Sequence, residues 1–333
     1  MKNNIHGLIV VLLVAPVVAL AQGTFTPVPA VSGSDPGSTS IWALNDSDMI
    51  GGDYTTGGGA VTHAFIGTLG GSYTTFDYSA PGFSTVFTQV RAINNAGDAV
   101  GVAQDSAGDS REFLRTPDGT IETLVNPVTS NPLDDIGQGI NSAGTIVGSY
   151  FLTPTQKAGF ILSADGLSLT ELQDPLAPNV TRARGINDSG TVVGTYSAGG
   201  ITHGFIYNSG TYTTLDDPLG IMGTLLEGIN NAGDIVGQYF DASGVDHGLL
   251  YDPATHTFTT LDAPGSTNSV AWQINNAGQV TVAGDTTSYI WSPVPLPGSL
   301  PLLGLGLAGL GIMTRRKVAW TQLRTGNRAL QDG

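Results

Sequence analysis

Three histidines recur at equivalent points of one phrase, His63-Ala64-Phe65, His203-Gly204-Phe205 and His247-Gly248-Leu249, and invite a metal reading. Imidazoles suit transition metals. The corresponding positions elsewhere, however, hold Arg111, Ala158 and Thr287. Ligands spread over separate copies of a repeat meet only if their position faces a common axis, so a repeat-encoded structural role is the better account. His256 has no partner spacing at all. The carboxylates follow the same logic: Asp77, Asp174, Asp216 and Asp262 close similar phrases, and Asp98 and Asp234 follow a recurring Asn-x-x-Gly. Turn and cap duty explains them. A glycoside hydrolase needs two carboxylates at a matched separation, and no pair stands out from the repeat. Asn45-Asp46-Ser47-Asp48 with Asp53 clusters hard oxygens as calcium prefers, without the full EF-hand pattern. No Gly-x-Ser-x-Gly elbow, phosphate-binding loop or His-Glu-x-x-His occurs. Trp42, Trp272 and Trp291 would stack on sugar rings if exposed, or fill a core between structural units if buried. No catalytic residue, metal ligand or cofactor is assigned.

The elements that must hold these residues are set by a phrase that appears six times between residues 43 and 284. Its clearest copies are Ala-Ile-Asn-Asn-Ala-Gly-Asp-Ala-Val-Gly at 92–101 and Gly-Ile-Asn-Asn-Ala-Gly-Asp-Ile-Val-Gly at 228–237. The marker asparagines are Asn45, Asn94, Asn141, Asn187, Asn230 and Asn275, spaced by 49, 47, 46, 43 and 45 residues. Five of the turns add a glycine: Gly97, Gly144, Gly190, Gly233 and Gly278. A period of 40–50 residues marks propellers and solenoids. Between markers the fifth repeat reads as four strand-sized segments bounded by Asn, Asp, Gly or Pro, rich in β-branched and aromatic residues. Four antiparallel strands per repeat make a propeller blade. Asn-x-x-Gly then supplies the first hairpin, since both residues tolerate positive φ. The glycine of Ile-Val-Gly lets a neighbouring blade approach closely.

The sixth repeat ends after its third strand, Tyr289-Ile290-Trp291. Its missing fourth strand matches the segment that begins Phe25-Thr26-Pro27, which lines up with Phe258-Thr259-Thr260. The expectation is an all-β fold, a six-bladed β-propeller over residues 24–293 whose last blade is closed by the N-terminal strand, which removes exposed strand edges.

Charge and composition bound the partners. Of 333 residues 12% are charged, with 47 Gly, 18 Pro and no Cys, so stability comes from a continuous buried core rather than disulfides. Residues 24–293 hold six basic side chains against 26 acidic ones, a net charge of −20. Such a surface repels phosphate backbones and excludes nucleic acid as a partner.

Residues 1–21 carry Lys2, an apolar run from Leu8 to Leu20 and a small-residue Ala19-Leu20-Ala21, the pattern of a secretory signal peptide cleaved before Gln22. At the other end Val294-Pro295-Leu296-Pro297 precedes the apolar stretch Leu300 to Met313 and the cluster Arg315-Arg316-Lys317. A positive cluster holds its end on the cytoplasmic side of a membrane. Residues 318–333 read as a polar, disordered tail.

The pattern at 294–317 resembles the PEP-CTERM sorting signal, with Leu296 in place of the usual glutamate. That resemblance implies a C-terminal hydrophobic membrane helix, processing by an exosortase-type enzyme of the inner membrane, and a link to exopolysaccharide. The phrases His-Gly-Phe, Tyr-Thr-Thr-Leu-Asp and Ile-Asn-x-x-Gly resemble extracellular HAF-repeat proteins, a family named for its pattern rather than an activity. The expected function is therefore a non-enzymatic cell-surface or matrix protein that offers a propeller for extracellular polysaccharide or surface proteins. Two alternatives stay open. One is a carbohydrate-active hydrolase or lyase with a site at the channel mouth; the other is a membrane-anchored periplasmic scaffold. Non-equivalent carboxylates converging in the channel would favour catalysis.

Overall fold

The structure is a computed structural model that describes residues 23–294, apart from 128, 130–132, 134, 135 and 178. The expected signal peptide with Ala19 and Ala21, and the sorting residues Pro295, Leu296, Pro297, Arg315, Arg316 and Lys317, lie outside the described residues, as does the expected C-terminal helix. Among the described residues there is no helix of any kind, hence none long and apolar enough to cross a membrane.

The fold is all-β. Strand β1 (Gly23–Pro27) precedes the repeats. The first repeat supplies β2 (Ser40–Leu44), β3 (Met49–Thr56), β4 (Val61–Thr68) and β5 (Tyr73–Phe76). The second supplies β6 (Thr85–Ile93), β7 (Ala99–Asp105), β8 (Ser110–Arg115) and β9 (Ile121–Thr123). The third has β10 (Ile136–Ile140), β11 (Ile146–Thr153), β12 (Gln156–Leu162) and β13 (Leu169–Leu172). The fourth has β14 (Thr181–Ile186), β15 (Val192–Ala198), β16 (Ile201–Asn208) and β17 (Thr211–Thr214). The fifth has β18 (Gly223–Ile229), β19 (Ile235–Phe240), β20 (Asp246–Asp252) and β21 (Thr257–Thr260). The sixth stops at β22 (Val270–Ile274), β23 (Val280–Ala283) and β24 (Ser288–Pro293).

Within each repeat successive strands pair antiparallel, as short connections require. β1 adds to the sixth group by pairing with β24, so that Phe25 stands opposite Trp291 as Phe258 stands opposite Tyr251. Single parallel residue pairs, Thr62 with Phe87 and Thr202 with Gly223, join the first group to the second and the fourth to the fifth. The first strand of every repeat touches the first strand of the next, and β22 touches β2.

The core lies between consecutive repeats. Ala92 and Val100 of the second pack with Ile140, Ile146 and Phe160 of the third. Ile290 of the sixth packs with Ile41, Ile50 and Phe65 of the first. Phe65, Phe113, Phe160, Phe205 and Leu249 are fully buried at one repeat-equivalent place, each worth about 2–3 kcal/mol of burial. Opposite them on the second strand stand Gly52, Gly101, Gly148, Gly194 and Gly237. These glycines do not admit a neighbouring repeat, as the sequence suggested. A Cβ on Gly237 would collide with the Leu225 carbonyl of β18, the first strand of its own repeat, because the pleat brings that backbone over the glycine.

Candidate functional site

The six marker asparagines lie together at the ends of the first strands, around a cavity of about 60 Å³. Each reads both its own turn and the next repeat. Asn45 Oδ1 accepts the amides of Ser47 and Met49 at 2.9 and 3.0 Å, and its Nδ2 donates to the Asn94 carbonyl at 2.9 Å. Asn94 donates to Asn141 O at 3.3 Å, Asn141 to Asn187 O at 3.3 Å and Asn187 to Asn230 O at 3.1 Å. Asn230 donates to Asn275 O at 3.4 Å, and Asn275 returns to Asn45 O at 3.2 Å. The asparagines thus serve through their carboxamides and not through positive φ, which falls on the glycines instead: Gly97 at 91°, Gly144 at 82°, Gly190 at 80°, Gly233 at 89° and Gly278 at 76°. In the first repeat Asp48 takes that conformation at 57°.

A second ring, one residue further on, carries Asp46, Asn95, Ser142, Asp188, Asn231 and Asn276. Asp46 accepts from Asn276 Nδ2 at 2.6 Å and from Asn95 Nδ2 at 2.7 Å. Asp188 accepts from the Ser142 amide at 2.8 Å and from Asn231 Nδ2 at 2.7 Å. Burial pushes the Asp188 carboxyl up, yet those hydrogen bonds outweigh it and hold the group below its ordinary value. This rim locks neighbouring turns together. The oxygen-rich set Asn45-Asp46-Ser47-Asp48 with Asp53 is divided: Asp46 bonds along the rim, whereas Asp53 belongs to the layer beneath. No set of three metal-ligating side chains occurs among the described residues.

That lower layer is built by a repeated defect in the sheet. The pairing of first with second strand skips a residue between Ile41 and Ala43, Val90 and Ala92, Gly137 and Gly139, Ala183 and Gly185, Leu226 and Gly228, and Ala271 and Gln273. A bulge re-aims the extra side chain. The six residues it re-aims are Trp42, Arg91, Gln138, Arg184, Glu227 and Trp272, each three before its marker asparagine. Trp42 and Trp272 meet with ring centroids 4.1 Å apart, and the Arg91 guanidinium lies 4.2 Å over Trp42. Arg184 Nη1 pairs with Glu227 Oε2 at 3.2 Å. Trp42 Nε1 and Gln89 Nε2 both donate to Asp53 Oδ1, at 2.5 and 2.6 Å. Complete burial raises the Glu227 carboxyl above its ordinary range despite Arg184, Arg91 and Arg182. Burial raises Asp53 as well, against the bonds from Gln89 and Trp42 and the charge of Arg91. Each carboxylate here is engaged by specific partners, one by an arginine and one by two N–H donors.

The histidines do not converge. His63 Nδ1 meets Asp77 at 2.9 Å, His203 meets Asp216 at 2.8 Å and His247 meets Asp262 at 3.0 Å. Each imidazole also packs on a tyrosine of the second strand, Tyr54, Tyr196 or Tyr239. Asp77, Asp216 and Asp262 therefore tie the fourth strand to the third, a correction to turn and cap duty; Asp174 alone of that set caps a turn, accepting the Leu176 amide at 2.8 Å. Trp291 lies in the core between the fifth and sixth repeats, 3% exposed.

Beside His247, burial lifts the Asp246 carboxyl from its ordinary 3.8 to about 6, with the His247 charge opposing. Asp241 also faces that imidazole, 3.9 Å from Nε2. A carboxyl that holds its proton more tightly when folded contributes stability at pH 4 and loses it as pH rises through 6. Asp246→Asn should therefore raise stability at pH 7.5 by about 1 kcal/mol after solvent screening, with no gain at pH 3.5. Equal melting shifts at both pH values would contradict this.

The inner layer was not singled out from the sequence. Its signal was present: immediately before each copy of the phrase, three residues ahead of the asparagine, stand Trp, Arg, Gln, Arg, Glu and Trp, none of them small or aliphatic.

Residues 293–317 match the PEP-CTERM protein-sorting motif. Such motifs mark exported proteins that an exosortase sorts at the membrane. No curated protein sequence matches this chain. Among solved structures, TolB from Acinetobacter baumannii is 13% identical with a TM-score of 0.51 over 75% of this chain, which spans 64% of TolB. A gluconolactonase from Xanthomonas campestris is 12% identical with a TM-score of 0.50, over 83% of this chain and 91% of the enzyme. The β-propeller domain of the Trilobed protease from Pyrococcus furiosus is 9% identical with a TM-score of 0.45, over 79% and 85% of the two chains. The chain is thus similar to β-propellers, a likeness of fold and not of activity.

Proposed function

We propose that this chain is an exported, exosortase-processed surface protein that binds extracellular glycan without turning it over. Residues 1–21 are its signal peptide, 24–293 a six-bladed propeller of the HAF-repeat type, 294–317 the sorting segment and 318–333 a tail. The closed series of asparagine bonds and the pairing of β1 with β24 support the blade count and the closure. The observation that carries the binding reading is the inner layer, where two tryptophans and two arginines stand with the carboxylates Glu227 and Asp53, the first already in an ion pair and the second already held by two N–H donors. That set can stack on and hydrogen-bond a sugar, whereas hydrolysis asks for two carboxyls free to act about one bond.

Intact mass of the protein from fractionated cells and medium tests export. A mass from Gln22 to near Pro297 outside the cell supports it; a mass that still includes Arg315 to Gly333, confined to membranes, would point to an anchored periplasmic scaffold. Retention of the purified chain on the producer's own polysaccharide tests binding, and release of reducing ends during that assay would overturn the non-enzymatic reading.

A further inference from the structure

We infer that the outer edge of the sixth repeat is an interface between two copies of this chain, at which β1 of one copy pairs with β24 of the other. The first observation is how β1 is connected. It belongs by chain to the first repeat and by pairing to the sixth, where Gly23 to Pro27 stand opposite Pro293 to Tyr289. Every other fourth strand follows its own third strand through a short turn, as β17 follows β16 through residues 209–210. Such a turn holds the pair within one chain. No turn joins β1 to β24, so β1 of another copy completes the sixth group equally well.

The second observation is that β1 is separable. The sixth repeat is fixed to the first without it: Asn275 Nδ2 donates to the Asn45 carbonyl at 3.2 Å, Asn276 Nδ2 donates to Asp46 at 2.6 Å, and buried Ile290 packs with Ile41 and Ile50. No residue of β1 is buried, and Thr24, Thr26 and Pro27 are exposed. What holds the strand is its ladder with β24, the Phe25 ring edge-on to Tyr289 at 5.9 Å, and the Val28 amide, which donates to the Ser288 carbonyl at 2.9 Å. The hinge behind it is short and stiff. Val31 is anchored beside Ile41 and Ile290, while Pro27 and Pro29 fix their own φ and hold Thr26 and Val28 extended. Residues 27–30 reach about 13 Å when extended, more than twice the spacing of about 4.8 Å between paired strands. That span crosses to a copy packed against the same edge.

The third observation is what the edge accepts. A Cβ on Gly23 would strike the Trp291 indole, so the edge takes a strand with glycine opposite Pro293. Phe25, two residues on, packs against the cluster that Val236, Leu261 and Trp291 form between the fifth and sixth repeats. A second copy of this chain presents that same Gly-x-Phe spacing with the same hinge behind it, which an unrelated strand does not. Exchange is reciprocal: each copy gives β1 and receives one, so the contact repeats about a two-fold axis and closes at two chains. Every contact of β1 is remade in the exchanged form. The balance between the two forms therefore rests on the hinge and on association, and the two-chain form rises as the chains are concentrated.

The test is crosslinking of co-expressed full-length copies with a short bis-maleimide. One copy carries Thr24→Cys and the other Ser292→Cys, positions that face each other across β1 and β24. The chain has no cysteine of its own, so a two-chain product reports those two positions. The expected result is about tenfold more two-chain product than from Asn208→Cys with Ser292→Cys, and a yield that rises with protein concentration. Asn208 lies on the exposed end of β16, so that second pair registers collisions alone. Thr24→Cys and Ser292→Cys placed in one chain and crosslinked lock β1 onto its own β24. Light scattering should then find single chains at concentrations where the wild type forms pairs. Gly23→Val keeps β1 off Trp291 and should also remove the pairs, while the chain still melts cooperatively because its first and sixth repeats stay joined. Two-chain product no greater than the collision control at any concentration would overturn the inference. So would pairs that persist in the locked chain or in Gly23→Val, since those would form through another surface.

Discussion

Gly237→Val should destabilise the folded chain by about 3 kcal/mol or more, while Gln238→Val one residue away should cost about 1 kcal/mol or less. At position 237 an added Cβ runs into the Leu225 carbonyl and crowds the Leu226 backbone, atoms that cannot step aside as a flexible side chain can. Both partners are fixed by the pairing of β18 with β19. Relief would pull apart the first and second strands beside the Glu227 bulge, so the inner layer would loosen too. Gln238 is the contrasting case, since its buried Oε1 has no partner among the described residues and an apolar replacement removes that acceptor. The sixth repeat places Val282 at the equivalent position, fully buried, so the penalty belongs to the local backbone setting and not to valine in a strand. Thermal melts followed by circular dichroism should separate the two variants by roughly 4–10 °C. Indistinguishable melting temperatures would show that the strands are not held as closely as described.

Asn45→Ala should be nearly as damaging, at about 3 kcal/mol. The side chain is 3% exposed and makes three hydrogen bonds, two to its own turn and one to the next repeat. Alanine leaves the Ser47 and Met49 amides and the Asn94 carbonyl without those partners. Asn45→Asp separates the two roles. A carboxylate still accepts from the turn, but it sets a charged oxygen against the Asn94 carbonyl where a donor belongs. Its folded-state proton affinity is therefore raised, so its stability should be greatest at low pH and fall as pH rises above the ordinary carboxyl range. A melting temperature for Asn45→Asp equal to the wild type at pH 7.5 would mean that the bond between repeats contributes nothing.

Much of the architecture was legible because it is local and repeated. Asn-x-x-Gly marks five of the six turns, Ile-Val-Gly and His-Gly-Phe or their variants mark the second and third strands, and four of those third strands bury a phenylalanine. The pairing of β1 with β24 was readable too, since Phe25-Thr26-Pro27 follows the same pattern as Phe258-Thr259-Thr260. The reasons behind the phrases were less legible. Tolerance of positive φ is the local reason for an asparagine in a turn, whereas here its carboxamide links repeats 43 to 49 residues apart, and such a bond leaves no trace in a local window. The aspartates that end the fourth strands read as caps because the histidine each one holds lies 13 to 15 residues earlier.

By itself the sequence determined the repeat, the strand pattern, the acidic charge and the C-terminal sorting motif, since each rests on composition or short-range spacing. What gathers at the centre was decided by the tertiary structure. Trp42, Arg91, Gln138, Arg184, Glu227 and Trp272 share no residue type and stand in six different repeats. An alternating strand would place them by simple parity, but the bulge at every first strand breaks that alternation and turns each one away from its expected face. Only the packing of first strand on first strand, with β22 against β2, then brings residues more than 200 positions apart into one layer.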